Sequence, residues 1–151
     1  NFNLNRNLNA KQYLLQLQAL NTKINQKIEE SAQLRSIAKG RGISYDSERV
    51  QTSPTNAQEN IIVRYLDLER EIDKMIDAYV DQKDKIINQI HKLSDARYIE
   101  ILFDRYVPDK NGHTKSFEQI SVKMHYNYKY VCYLHGQALI AFSGIIWNYL
   151  E

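Results

Sequence analysis

The feature that most constrains this chain is a seven-residue apolar repeat. Tyr65, Ile72, Tyr79, Ile86 and Leu93 recur at an interval of seven, and Ile62, Ile76 and Ile90 hold a second position, interrupted by Glu69 and Lys83. Four heptads of this kind mark an α-helix that packs along a narrow seam on another helix. Thr55 or Asn56 can cap its start, with Gln58 or Glu59 at the third helical position. The spacing predicts a helix of about 37 residues, roughly 55 Å long. A helix with so narrow an apolar stripe is not stable alone in water and needs a partner.

The nearest partner lies upstream. Tyr13, Leu17, Leu20, Ile24 and Ile28 step by three or four residues, and Leu34, Ile37 and Ala38 extend the stripe. This predicts an amphipathic helix of about 28 residues, capped by Asn9 and ended by Gly40 and Gly42. The Asn-rich residues 1–9 are expected to fray. Residues 41–56 carry Gly, Ser, Thr, Asn and Pro54 without periodicity and read as a connector. The expected fold is therefore all-α: an antiparallel coiled-coil hairpin over residues 1–93, with its connector at 39–56, followed by a helical module over 94–151. Charge favours the pairing, because residues 1–56 have eight basic against four acidic side chains and residues 57–94 have six against eight.

Ser94 or Asp95 caps a third helix, Ala96–Val107, which Pro108 stops, and Asp109-Lys110-Asn111-Gly112 reads as a turn. The stretch Ser116–Phe142 has the spacing of a helix-turn-helix. Ser116 and Gln119 form a capping box, Phe117, Ile120 and Met124 give one apolar face, and His125 suits the left-handed turn residue. Asn127 is a strong N-cap for the next helix, with Tyr126 and Val131 placed as a hydrophobic staple. Val131, Leu134, Ala138 and Leu139 are its buried stripe, leaving Tyr128, Lys129, Cys132, Tyr133 and His135 outward or along a flank. An αα-hairpin packed on a helical core has the same spacing.

These residues also carry a resemblance. Arg105-Tyr106, Phe117-Glu118-Gln119-Ile120-Ser121, Asn127, Val131 and Leu134-His135-Gly136-Gln137-Ala138-Leu139 resemble the region 4 helix-turn-helix of sigma-70-type factors. The closer likeness is to the small sigma-region-4-like, autolysin-regulator-type transcriptional regulators of phages and prophages of Gram-positive bacteria. Val50-Gln51-Thr52-Ser53-Pro54 and the Tyr13–Ala38 helix with its Leu34-Arg35-Ser36-Ile37-Ala38 ending are similar to the N-terminal half of that family. The resemblance runs from about Tyr13 to Phe142. It implies an all-helical protein acting in phage transcription, binding double-stranded DNA through the second helix of the motif, with RNA polymerase or another host or phage protein as a partner.

Position assigns the contacts. Asn127, Tyr128, Lys129, Cys132 and Tyr133 lie on the exposed start of the recognition helix, where they would meet base edges, sugar or phosphate. Lys115 precedes the first helix of the motif, whose free N–H groups favour phosphate, and Lys123 lies close to the turn. Over Pro108–Trp147 four Lys face two acidic residues, a local excess of two positive charges. That suits DNA binding by a dimer, which doubles the phosphate contacts. Ile140, Phe142, Ile145, Ile146, Trp147 and Leu150 surround more than one face of the last helix, and they are the expected homodimer contacts. The rival reading starts from the eleven Tyr, six of them between Tyr106 and Tyr149. Tyr is enriched and Lys depleted at protein interfaces, which makes the chain a protein-interaction adaptor with weak or no DNA binding.

Other chemistry is thin. Asp67, Glu69, Glu71, Asp73, Asp77, Asp81 and Asp84 read as a solvated helix face. Cys132 and His135 stand one turn apart without the further ligands a zinc site needs. No phosphate loop or nucleophile motif is legible, so neither an enzyme nor a cofactor or metal is expected. The single Cys132 fits a reducing cytoplasm, and no signal peptide or membrane span is expected. A first residue that is not Met points to further residues upstream.

Overall fold

A computed structural model gives the backbone of residues 2–40 and 56–150, with side chains described for residues 9–40 and 60–147. Among the described residues the protein is all-helical: α1 (Phe2–Gly40), α2 (Asn56–Ile90), α3 (Ala96–Tyr106), α4 (Phe117–Met124) and α5 (Tyr128–Leu150). Helix α1 begins at Phe2, so the stretch expected to fray ahead of Asn9 is helical. Of the expected connector, residues 39, 40 and 56 are helical and residues 41–55, Val50 among them, lie outside the described residues. The chain forms two compact units, residues 1–21 with 79–151 and residues 22–78. The division between the units falls partway along both α1 and α2.

In the smaller unit α1 and α2 run antiparallel. Leu34 packs with Leu68 and Ile72, and Tyr65 lies against them. The Ser31 hydroxyl donates to Glu69, and Lys27–Glu71 (3.5 Å) and Arg64–Glu30 (3.9 Å) flank the contact. The last two are exposed pairs worth only a few tenths of a kcal/mol each.

Burial corrects the predicted stripes. In α1 the buried residues Ala10, Leu17, Ile24, Ser31 and Ala38 recur every seven positions, whereas Ile28 and Ile37 face solvent. In α2 the repeat Tyr65, Ile72, Tyr79, Ile86 holds as buried or half-buried positions, and of the second predicted line Ile90 is buried and Ile62 half-buried, whereas Ile76 is exposed. A further covered line runs through Leu68, Met75, Gln82 and Gln89, next to Ile76, which is 39% exposed. The polar members are paired: Tyr13 donates to Gln89 (2.5 Å) and Gln82 to Gln16 (3.1 Å). A buried amide with a partner avoids the desolvation cost of an unmet one.

The larger unit holds the main core. Ala10, Leu14 and Leu17 from α1 and Ile86 and Ile90 from α2 pack with Leu93, Leu102, Tyr106, Val107, Ala138, Leu139, Phe142 and Ile146. A smaller cluster of Ile101, Ile120, Val131 and Leu134 joins α3, α4 and α5. Asp95 caps α3 by accepting the Arg97 N–H (2.9 Å), and Val107 closes the helix one residue before Pro108. Asp109 Oδ1 then accepts the N–H groups of Asn111 (2.8 Å) and His113 (3.0 Å), forming the expected turn. Those backbone donors, His113 first, hold the Asp109 carboxyl below its usual range. Gly112 completes the turn at φ 79°, where a Cβ would also come within 2.7 Å of the Asn21 side chain. Only glycine meets both demands without strain.

Candidate nucleic-acid interface

The corner between α4 and α5 is fixed by local hydrogen bonds. Ser116 Oγ accepts the Gln119 N–H (3.2 Å), and Gln119 Oε1 accepts the Ser116 N–H (2.9 Å), a complete capping box. His125 ends α4 in the left-handed region at φ 59°, and its N–H donates back to Val122. Asn127 Oδ1 accepts the Tyr130 N–H (2.8 Å), so α5 starts where the sequence places it. Tyr126 meets Tyr130 edge-on at 5.0 Å, one residue short of the staple position. Val131 and Leu134 are buried, which sets the rotation of α5. Asn127, Tyr128, Lys129 and Tyr133 are thereby turned to solvent, Tyr133 being 60% exposed. Cys132 is half-buried; hydrogen bonding between the Cys132 and Tyr128 side chains raises the Tyr128 pKa.

The three lysines differ. Lys129 is exposed and has no ion pair among the described residues. Lys123 donates to Asp104 Oδ2 at 2.7 Å and lies 3.7 Å from Glu100, and Lys115 lies 3.8 Å from Asp104 Oδ1. The Asp104 side chain is almost wholly buried, and its hydrogen bond raises the Lys123 pKa. Two expected phosphate contacts are thus partly neutralised by a carboxylate from α3. Sequence could not reveal this, because the partners are 11 and 19 residues apart and meet only through the packing of α3 on α4. Two more features arise from packing. Arg97 donates to the Tyr130 hydroxyl (2.7 Å), and Tyr130 stacks on Tyr133, extending an aromatic row from the turn. Arg105 covers the Phe117 ring at 4.7 Å and donates to the Lys115 carbonyl.

His135 does not point outward. Its Nε2 shares a 2.6 Å hydrogen bond with the Tyr106 hydroxyl, and Phe117 meets its ring edge-on at 4.8 Å. Burial, with Lys11 and Arg105 nearby, lowers its pKa to about 4, and burial pushes Tyr106 up to about 12. A neutral His135 bonded to Tyr106 is a packing residue, and Cys132 gains no metal partner from it. Among the described residues no three His, Cys, Asp or Glu side chains are grouped to hold a metal ion.

The expected dimer residues separate into two sets. Phe142 and Ile146 are buried in the main core and Ile145 is half-buried against it, so the unit covers more of this helix than the sequence led one to expect. Ile140 and Trp147 remain 45% and 38% exposed, and the Leu150 side chain lies outside the described residues. The window Tyr128–Trp147 is long and apolar enough to cross a membrane by length and composition, and 39% of it is buried. The sequence reading expected no such stretch. It arises because α5 has no Asp, Glu, Lys or Arg after Lys129. No family model, curated protein or solved structure matches the chain.

Proposed function

We propose that the protein is a transcriptional regulator of the phage sigma-region-4-like type, acting in the cytoplasm and binding double-stranded DNA through a helix-turn-helix formed by α4 and α5. The observation that carries this reading is the exposed, firmly capped start of α5 bearing Asn127, Tyr128 and the unpaired Lys129. A rigid helix end with polar side chains turned to solvent is what insertion into a major groove requires. RNA polymerase is a further partner in this reading. Lys129→Glu in the full chain should weaken binding to duplex DNA by well over about tenfold, since it removes an attraction and adds a repulsion at the phosphate backbone. Polarisation titrations at two salt concentrations read this, with circular dichroism reporting the fold. Unchanged affinity in a folded mutant removes α5 from the groove.

The adaptor reading has its own support. Lys115 and Lys123 are occupied by Asp104 and Glu100, while Tyr126, Tyr130 and Tyr133 form an aromatic row with Arg97 beside it. Tyr and Arg together are typical of protein interfaces. Salt-independent, weak binding to every duplex tested would favour this second reading over the first.

A further inference from the structure

The outward face of α5 has an order that neither the core nor the proposed DNA contact explains. Tyr133, Gly136, Ile140, Gly144 and Trp147 lie within about 40° of one line along the helix. Tyr133 is 60%, Ile140 45% and Trp147 38% exposed. A Cβ built on Gly136 or Gly144 would meet nothing within 4 Å. Glycine inside a helix lowers its stability and is otherwise expected where a backbone or a close-packed neighbour approaches. Among the described residues no packing contact calls for glycine at either position.

The pattern is also symmetric about Ile140. Four residues to either side stands a glycine, and seven to either side an aromatic ring. The face has no charged residue between Lys129 and Trp147. In a two-fold contact between identical antiparallel helices centred on Ile140, each residue meets the one equally far on the other side of Ile140 in the second copy, so here small side faces small side and aromatic faces aromatic. An uncharged face is electrostatically compatible with its own copy.

We propose that two copies of the chain associate through this face, the α5 helices antiparallel and the two-fold axis passing at Ile140. Each Ile140 meets the second copy's Ile140 at the axis, each Gly136 faces the second copy's Gly144 and lets the helices approach, and each Tyr133 meets the second copy's Trp147. Phe142 and Ile146 take no part, since they fill the core of their own unit. The contact is small for a protein interface, so association is expected in roughly the micromolar range. It does not depend on DNA binding, and the measurements below contain no DNA.

Sedimentation of the full chain should show a concentration-dependent monomer–dimer equilibrium. Ile140→Glu puts two like charges on the axis and should weaken self-association by at least about 100-fold with the helical signal unchanged. Antiparallel geometry has a sharper readout, in a Cys132→Ser background. Axes 8–10 Å apart leave facing Cα atoms about 3.5–5.5 Å apart, which overlaps the span of a disulfide. Ile140→Cys should therefore cross-link to itself on mild oxidation. Gly136→Cys should not, because its two copies would be about 12 Å apart along the axis. A wild-type chain that stays monomeric up to roughly 0.5 mM overturns the proposal. So does a dimer that survives Ile140→Glu, or equal cross-linking at both cysteines. Co-sedimentation of a monomeric chain with uncharged phosphatidylcholine vesicles would assign the face to a membrane surface instead.

Discussion

At the scale of single residues, His135 has the most direct consequence for measurement. Its pKa is about 4 in the folded chain, from burial first and then Lys11 and Arg105, against an ordinary 6.5. Between those values the unfolded chain binds more protons, so stability rises with pH there. The contribution is fully present above 6.5 and is lost as pH falls toward 4. The full shift corresponds to about 3 kcal/mol, and partial exposure brings the expected loss to about 1–2 kcal/mol. The depressed carboxyls of Asp95 and Asp109 act only below this window. Melting temperature should therefore drop between about pH 7 and pH 4.5, and His135→Gln should flatten that slope. A mutant with the wild-type slope would mean that His135 is protonated in the folded chain. The neighbouring residues show why His135 was not legible in the sequence. The Ser116–Gln119 box, the left-handed His125 and the Asn127 cap are satisfied within a few residues of chain, and all three were read correctly. His135 depends on Tyr106 and Phe117, 29 and 18 residues away, and local pattern says nothing of such partners.

At the scale of elements, the seven-residue repeat was legible in part. The line Tyr65, Ile72, Tyr79, Ile86 is apolar and was found, but the further covered line includes Gln82 and Gln89, which an apolar search skips. In α1 the apolar stripe includes Ile28 and Ile37, which face solvent, whereas Ala10 and Ser31 are buried. Small or amide side chains fit where two helices approach closely and the polar atoms find partners, as Gln89 finds Tyr13. The consequence separates two isoleucines of α2. Ile86→Asp buries an unpaired carboxylate in the main core and should cost more than about 3 kcal/mol. Ile76→Asp, at a 39% exposed position, should cost less than about 1 kcal/mol. Thermal melts by circular dichroism test this: a larger loss at Ile76 than at Ile86 would return Ile76 to the buried seam with Ile90.

At the scale of the whole molecule, the question is whether α3, α4 and α5 can fold without the helices before them. The sequence reading treats residues 94–151 as a module, and the α4–α5 corner has its own small core in Ile101, Ile120, Val131 and Leu134. The main core argues otherwise. Ala10, Leu14, Leu17, Ile86, Ile90 and Leu93 all lie outside 94–151, yet they cover Leu102, Tyr106, Phe142 and Ile146. Five of those six are large aliphatic side chains, each contributing about 1.5–3 kcal/mol on full burial. Their combined loss, roughly 10 kcal/mol, is comparable to the entire stability of a typical domain, about 5–15 kcal/mol. It also leaves Phe142 and Ile146 open to solvent in a fragment too short to replace them. A fragment of residues 94–151 should therefore lack a cooperative melting transition, although the capped α4–α5 corner keeps some helical signal. The full chain should melt cooperatively under the same conditions. A fragment that melts as sharply and at the same temperature as the full chain would show that α1 and α2 merely rest on an independent module. The boundary at 93/94 would then be the correct one.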